Sequence, residues 1–124
     1  MAPVSVLLVE DEALISLMVS EALSEGGFEV HEVSNADEAL RYIGDGGPVD
    51  VLFTDINLPG QMNGAELAQR ARRLKPELAV VYASGRYSAD DLPGRVPHSV
   101  FVAKPYDPDA LCAVLSRLTA VTAH

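Results

Sequence analysis

Short apolar runs alternate along the chain with longer stretches in which apolar residues recur at helical spacing. Each run has the length of a β-strand, and most are apolar at nearly every position, which is typical of strands buried on both faces. Such strands belong to a parallel sheet that is covered by helices on both sides. The five runs lie at residues 4–9, 28–33, 49–54, 78–83 and 100–103.

Amphipathic stretches follow the first, second, third and fifth runs, and each is predicted to be a helix. Gly26 and Gly27 end the first of them, and capping signals mark the starts of the others. Those signals are Ser34 with Asp37, Asn63 with Glu66, and Asp107 with Pro108 at the first helical position. The positions predicted to face the core are Leu14, Ile15, Met18, Ala22 and Leu23 in the first helix, Leu67, Ala68, Ala71 and Leu74 in the third, and Leu111, Val114, Leu115 and Leu118 in the last.

The stretch after the fourth strand differs from the other connections. Pro93, Gly94 and Pro97 leave room there for only a short or irregular fourth helix within residues 87–98. The order of strands and helices, with right-handed crossovers, predicts an α/β fold of the flavodoxin-like, doubly wound kind. Its five-stranded parallel sheet would have the strand order 2-1-3-4-5.

Polar side chains stand where the predicted strands end. Glu10 and Asp11 follow the first strand, Asp55 the third, Ser84 the fourth and Lys104 the fifth. Because parallel strands bring their carboxyl ends to one edge of the sheet, these residues are expected to meet there.

Carboxylates, a lysine and a hydroxyl group at one edge suit phosphoryl transfer. Clustered carboxylates repel one another, and a hard divalent cation such as Mg²⁺ relieves that repulsion. The ammonium of Lys104 and the hydroxyl of Ser84 can both contact phosphoryl oxygens. Asp55 lies at the centre of the predicted cluster with Lys104 as its expected partner, so it is the candidate nucleophile.

Composition narrows the class of protein further. The 124 residues suit one domain, and 18 acidic against 9 basic side chains give a net charge of -9. Such a surface repels nucleic-acid phosphates and anionic lipid, so direct nucleic-acid or membrane binding is not expected. Cys112 is the single cysteine, which excludes an internal disulfide and favours a cytoplasmic location.

Four motifs in order resemble those of the receiver domain of bacterial two-component response regulators. They are residues 9–12, 54–59, 83–85 and 101–105. The resemblance implies that Asp55 accepts a phosphoryl group from a phosphohistidine. It also implies that Asp11, Asp55 and the backbone carbonyl of Asn57 ligate Mg²⁺, or Mn²⁺ in its place, with Glu10 helping directly or through water.

The resemblance also implies roles for residues that respond to the phosphoryl group. Lys104 would contact it, Ser84 would hydrogen-bond to it and shift inward, and Phe101 would change rotamer as the switch aromatic. The expected partners are a histidine kinase or a histidine phosphotransfer protein and an unknown downstream protein. Whether phosphorylation drives dimerisation through the fourth-helix face stays open.

Some features leave alternatives. The acid pair is Glu10-Asp11, where the family more often has two aspartates, and Phe101 is also an ordinary core residue for a buried strand. The arginines at 70, 72 and 73 form a solvated face or part of a kinase-docking rim.

A rival interpretation is a small Mg²⁺-dependent phosphohydrolase of the haloacid-dehalogenase type. Those enzymes typically carry an aspartate general acid two residues after the nucleophile, and here that position is Asn57. The receiver resemblance remains the leading interpretation, and it covers essentially the whole chain. We expect residues 1–124 to form a single receiver domain with no output domain. It would signal rather than turn over substrates, catalysing only its own phosphorylation and dephosphorylation, or serve as a phosphate carrier or sink.

Overall fold

Five parallel strands form one sheet in the order β2-β1-β3-β4-β5, which confirms the predicted flavodoxin-like topology. The structure is a computed structural model that describes residues 3–85, 92–104 and 107–122. Each observed strand overlaps a predicted one, and the bounds differ by one or two residues at a strand end. The elements are β1 (Ser5–Val9), α1 (Ala13–Glu25), β2 (Glu29–Val33), α2 (Ala36–Gly44), β3 (Val51–Asp55), α3 (Gly64–Leu74), β4 (Ala79–Ser84), β5 (Ser99–Ala103) and α4 (Pro108–Thr122).

Each face of the sheet has its own hydrophobic core. Leu52, Val80 and Tyr82 point to the face that α2 and α3 cover. Phe53 and Val81 alternate with them along the same strands and point to the face that α1 and α4 cover. The three central strands are buried on both faces, which explains their nearly unbroken apolar character.

The face of α1 that packs on the sheet matches the predicted one only in part, since Leu23 is buried and Ile15 packs against the core as predicted. Leu14 is 78% exposed and Met18 is 59% exposed, whereas Ser16, Val19 and Leu23 are buried. Ser16 is accepted inside because its hydroxyl donates to the Glu32 carboxylate, which is 2.6 Å away. The predicted inward position of Leu74 on α3 is also wrong, since its side chain is exposed at the end of that helix.

The helix starts follow the capping predictions with one correction. Asn63 and Asp107 accept hydrogen bonds from the backbone of Glu66 and Asp109, as expected of N-caps. In α2, however, the cap is Asn35, whose side chain accepts from the Glu38 backbone N–H. The predicted cap, Ser34, instead donates from its backbone N–H and its hydroxyl to the Glu38 carboxylate.

The connection between β4 and β5 contains no helix within its described part. Residues 92–98, called here the β4–β5 segment, form turns, with Gly94 and His98 at positive φ. Residues 86–91, which include the remainder of the irregular helix predicted within 87–98, lie outside the described residues, as does Pro105 of the fourth motif. None of the described helices is both long and apolar enough to span a bilayer.

Candidate functional site

The carboxyl ends of the strands bring the predicted acidic residues together. Glu10 follows β1 and Asp55 ends β3, and both are buried, with 5% and 8% of their surface exposed. Asp11 lies beside them and is exposed. Carboxylate oxygens of these three residues all lie within 4.8 Å of one another. The sequence prediction that these side chains meet is therefore confirmed.

Lys104 reaches this cluster from the edge strand β5. Its ammonium lies 2.7 Å from Asp55 Oδ2 and 3.8 Å from Glu10 Oε1. The other Asp55 oxygen, Oδ1, accepts the backbone N–H of Asn57 at 3.3 Å. Glu10 Oε2 accepts the backbone N–H of Glu12 at 3.2 Å. Each buried carboxylate is thus oriented by a backbone donor and faces the same ammonium.

The backbone around Asp55 is fixed by its neighbours. The buried hydroxyl of Thr54 donates to the Asp55 carbonyl oxygen at 2.8 Å. The N–H of Gly64, at the start of α3, donates to the Ile56 carbonyl at 2.7 Å. A Cβ at Gly64 would overlap the Asp55 carbonyl oxygen and lie 2.9 Å from Ile56 Cα. Helix α3 therefore begins in direct contact with the backbone that carries Asp55.

Burial and charge shift the proton affinities at the site. Burial raises the pKa of Glu10 above its ordinary value, against the opposing effects of the Glu12 N–H and the charge of Lys104. Burial by itself would lower the pKa of Lys104, but the hydrogen bond and charge of Asp55, with the charge of Glu10, raise it. Lys104 is accordingly held in its charged form at neutral pH.

The donor set of the cluster fits a hard divalent cation. Three carboxylates face a single ammonium, so negative charge is in excess where two of the carboxylates are buried. All side-chain donors are oxygens, and Mg²⁺ prefers one or two carboxylates supplemented by water and phosphate oxygens. An open cleft of about 290 Å³ gives access to Glu10 and Asp11.

The two predicted switch residues lie on the strands that border the site. Ser84 is buried at the end of β4, and its carbonyl accepts the Lys104 N–H at 2.9 Å. Phe101 is half-buried on β5, where it pairs in register with Tyr82 of β4. Its ring lies 5.1 Å from the Tyr82 ring and 5.1 Å from the guanidinium carbon of Arg95.

Sequence reasoning missed Tyr82 and Arg95 beside Phe101. Tyr82 stands inside an apolar run and looks like plain core, although its hydroxyl needs a partner when buried. Arg95 follows a Pro-Gly pair in a stretch without periodicity, so no pattern in the sequence assigns it a contact. The contacts of both residues with the Phe101 ring are visible only in the folded structure.

The predicted basic patch on α3 is only partly a solvated face. Arg70 pairs with Glu66 on the exposed surface at 3.3 Å. Arg72, in contrast, donates to the Leu78 carbonyl, and its other N–H groups reach Pro97 and His98. Arg72 is therefore a structural anchor, and the prediction that it belongs to the solvated patch is wrong.

Comparison with known proteins gives the class to which this fold and site belong. Residues 6–116 match the family model of the response regulator receiver domain. The chain therefore belongs to the response regulator receiver family, whose members are phospho-acceptor switches in two-component signalling.

Individual relatives agree with this assignment. The chain is 30% identical over 118 residues to the sensor kinase CckA of Brucella abortus, covering 92% of this chain and 12% of that protein. It is 34% identical over 121 residues to the phosphate regulon transcriptional regulatory protein PhoB of Pseudomonas aeruginosa, covering 94% of this chain and 51% of that protein. The chain thus spans about half the length, or less, of these curated relatives.

Solved structures show the same fold. A response regulator receiver protein from Sinorhizobium medicae superposes with a TM-score of 0.87 at 31% identity, covering 94% of each chain. The receiver domain of the hybrid histidine kinase CckA gives a TM-score of 0.78 at 27% identity, covering 92% of this chain and 97% of that one. The chain is a phospho-acceptor signalling switch, and the haloacid-dehalogenase alternative has no support among these matches.

Proposed function

We propose that Asp55 is the residue that accepts the phosphoryl group, and that a phosphohistidine is the donor. The observation that carries this proposal is the 2.7 Å contact between Lys104 Nζ and Asp55 Oδ2 within a cluster of three carboxylates. Of those three, Asp55 is the one that ends the central strand β3; it is buried, and its oxygens accept hydrogen bonds from the Asn57 N–H and from Lys104. A nucleophile held in this way needs little reorganisation before reaction.

The chemical step is a transfer from nitrogen to oxygen. An oxygen of the Asp55 carboxylate forms a bond to phosphorus while the phosphorus–nitrogen bond of the phosphohistidine breaks, and the imidazole leaves with the bonding electron pair. Lys104 stands where its positive charge offsets the charge on the phosphoryl oxygens. The Asn57 N–H keeps the carboxylate in its orientation. Hydrolysis of the resulting acyl phosphate by water returns Asp55 to its carboxylate form.

Glu10, Asp11 and Asp55, with the backbone carbonyl of Asn57, are proposed to hold Mg²⁺, with Mn²⁺ as a substitute. The bound cation would supply charge neutralisation between carboxylate and phosphoryl oxygens. Glu10 is buried and already accepts the Glu12 N–H, so its contribution is proposed to be through water or through one oxygen only. The acceptor would catalyse its own phosphorylation and dephosphorylation and no other reaction.

Ser84 and Phe101 are proposed to convert phosphorylation into a change of surface. The Ser84 hydroxyl would donate to a phosphoryl oxygen and move toward it. Phe101 lies on the strand next to Ser84 and would turn inward into the space vacated, which changes the surface of the β4–β5 segment, β5 and α4. A downstream protein would recognise that surface.

A protein donor suits the surroundings of the site better than a small molecule. Leu14, Leu17 and Met18 are exposed on α1, the helix that begins just after Asp11. Exposed apolar side chains grouped in this way are typical of protein interaction surfaces. We therefore propose a histidine kinase or a histidine phosphotransfer protein in the cytoplasm as the donor.

Intact mass spectrometry after incubation with Mg²⁺ and acetyl phosphate tests the acceptor. The protein is expected to gain the mass of one phosphoryl group, and Asp55→Asn is expected to gain none because the amide is not a nucleophile of comparable strength. Chelation of Mg²⁺ with EDTA is expected to suppress the adduct.

Asp45→Asn serves as the matched control, because Asp45 is an exposed aspartate at the end of α2. This variant should be labelled as fully as the unchanged protein. A phosphoryl adduct that persists in Asp55→Asn would contradict the proposal.

A further inference from the structure

The β4–β5 segment is tied to α3 by side-chain hydrogen bonds. Gln69 of α3 donates to the Gly94 carbonyl at 2.5 Å. Arg72, one turn further along the same helix, donates to the carbonyl oxygens of Pro97 at 2.7 Å and His98 at 3.1 Å. The segment is therefore bonded at Gly94 and at its C-terminal end to a helix that is itself packed on the sheet.

Tyr82 of β4 forms a hydrogen bond to the middle of the segment from the protein core. This side chain is fully buried, and its hydroxyl accepts the backbone N–H of Val96 at 3.2 Å. Val96 itself is buried in the same core. The Tyr82 ring also contacts the ring of Phe101. One side chain therefore packs against both the segment and the proposed switch aromatic.

Arg95 of the segment contacts Phe101 directly. Its guanidinium lies over the Phe101 ring at 5.1 Å from the centroid, which is a cation–π distance. Ser99 aims the guanidinium, because Arg95 donates through Nε to the Ser99 hydroxyl and through Nη2 to the Ser99 carbonyl, both at 2.8 Å. The Ser99 hydroxyl in turn donates to the Val96 carbonyl at 2.8 Å. The cation is therefore fixed to the backbone and cannot simply follow the ring.

The side chains of Phe101 and Ser84 face the same side of the sheet. Tyr82 and Ser84 are two residues apart on β4, so they face the same side, and Phe101 pairs in register with Tyr82. The inward turn of Phe101 proposed above would carry its ring away from the Arg95 guanidinium. The stacking of Arg95 on Phe101 is then an interaction of one switch state only.

We propose that Arg95 is a positioning residue that holds Phe101 in the present rotamer and thereby opposes phosphorylation of Asp55. The inference rests on the proposed acceptor function of Asp55 and adds a residue that sets the balance between its two states. An interaction that exists in one state lowers the affinity of any ligand that prefers the other state. Loss of the Arg95 side chain should therefore favour the state that carries the phosphoryl group.

Calorimetric titration with beryllofluoride in excess Mg²⁺ measures this balance, because beryllofluoride stands in for the phosphoryl group on Asp55. Arg95→Gln is expected to bind beryllofluoride about threefold to tenfold more tightly than the unchanged protein, from the strength of a half-exposed cation–π contact. If Arg95→Gln acted only by removing a positive charge, it would weaken the binding of the beryllofluoride anion. Release of Phe101 is expected to tighten that binding, so the direction of the change in affinity distinguishes the two explanations. Arg95→Lys keeps a cation near the ring and should return the affinity to within about twofold of the unchanged protein.

Two controls separate positioning from a structural effect. Arg70→Gln removes the same charge from an exposed site on α3 and should not tighten binding. In a Phe101→Leu background, Arg95→Gln should change the affinity by less than about twofold, because the ring it acts on is gone. Unfolding by urea, followed by circular dichroism, checks that each variant is folded under the titration conditions.

The outcomes distinguish this inference from the function on which it rests. Unchanged or weaker binding by Arg95→Gln, or equal tightening in the Phe101→Leu background, would overturn the role of Arg95 while leaving Asp55 as the acceptor. Failure of the unchanged protein to bind beryllofluoride with Mg²⁺ would contradict the acceptor function itself.

Discussion

Gly64 shows how closely the backbone around Asp55 is packed. It is the first residue of α3, it is buried, and its missing side chain leaves the space that the Asp55 carbonyl oxygen occupies. Gly64 also donates its N–H to the Ile56 carbonyl at 2.7 Å. At the end of the third strand and at the residue directly after it, the backbone is thus in close contact with the start of the next helix.

Substitution of Gly64 by alanine should therefore destabilise the protein. The added Cβ meets backbone atoms of Asp55 and Ile56, which cannot rotate away, so we expect the free energy of unfolding to fall by about 2 kcal/mol, as for other overpacked sites. Urea denaturation followed by circular dichroism measures this change.

Gly44→Ala is the matched control for that substitution. Gly44 is the last residue of α2, and a Cβ there has no atom within 4 Å. Alanine at Gly44 should leave stability unchanged or raise it by up to about 1 kcal/mol, because alanine loses less backbone entropy than glycine in a helix. A Gly64→Ala variant as stable as Gly44→Ala would show that α3 does not press on the acceptor backbone.

Single residues of the site were predictable where they follow a buried strand. Asp55 and Lys104 are 49 positions apart, yet parallel strands must bring their carboxyl ends to one edge, so their meeting followed from the pattern alone. Arg72 was not predictable in the same way. A charged residue on the outer part of an amphipathic helix is normally solvated, and its contacts depend on the path of the β4–β5 segment, which has no periodic pattern.

Among the helices, α1 shows where periodicity fails to choose a buried face. Apolar residues occur on several sides of this helix, and the buried side contains Ser16, which the pattern counts as polar. The hydrogen bond from Ser16 to Glu32 makes that side acceptable in the interior. The consequence is that Leu14 and Met18 stay outside, where they add nothing to the core and are available to another protein.

The β4–β5 segment is held by hydrogen bonds to side chains, and Arg72 supplies two of them. The three carbonyl oxygens that this side chain reaches belong to Leu78, Pro97 and His98, so it joins the start of β4 to the end of the segment. A guanidinium suits this role because its planar N–H groups diverge in fixed directions.

Replacement of Arg72 by alanine is expected to lower the free energy of unfolding by about 2 kcal/mol, the range for a charged donor that leaves carbonyl groups without a protein partner. Chemical denaturation again gives the value. The neighbouring Arg73 is exposed, and Arg73→Ala should change stability by no more than about 0.5 kcal/mol. Equal effects of the two substitutions would argue that the segment does not depend on Arg72.

At the scale of the whole molecule, the order of strands was predictable and the surface was not. Alternation of buried strands with amphipathic helices admits few topologies once crossovers are right-handed, and the predicted order is the observed one. The net charge of -9 gives no positions by itself; the predicted sheet edge already placed Glu10, Asp11 and Asp55 together, whereas the exposed apolar face of α1 was not predicted.

That concentration of charge predicts a specific response of the whole protein to Mg²⁺. A ligand that binds only the folded state stabilises it, by about 2.7 kcal/mol at a hundred times the dissociation constant. The melting temperature in MgCl₂ should therefore exceed that in NaCl of the same ionic strength, which only screens the general repulsion of the surface.

Asp11→Asn removes a proposed ligand and should lose most of this difference between the two salts. Asp45→Asn removes one exposed carboxylate elsewhere and should retain it. If MgCl₂ and NaCl gave the same melting temperature at matched ionic strength, the acidic cluster would not be a Mg²⁺ site.

Strand β5 lies at the edge of the sheet and pairs with β4 alone. Lys104 follows directly after it, whereas Glu10 belongs to the beginning of the chain. The ion pair to Asp55 therefore cannot form until every strand between them is in place, because each of these contacts joins distant parts of the sequence. The contacts that orient Asp55 are thus a property of the finished sheet, and a chain in which β5 has not yet paired lacks the Lys104 partner of this carboxylate.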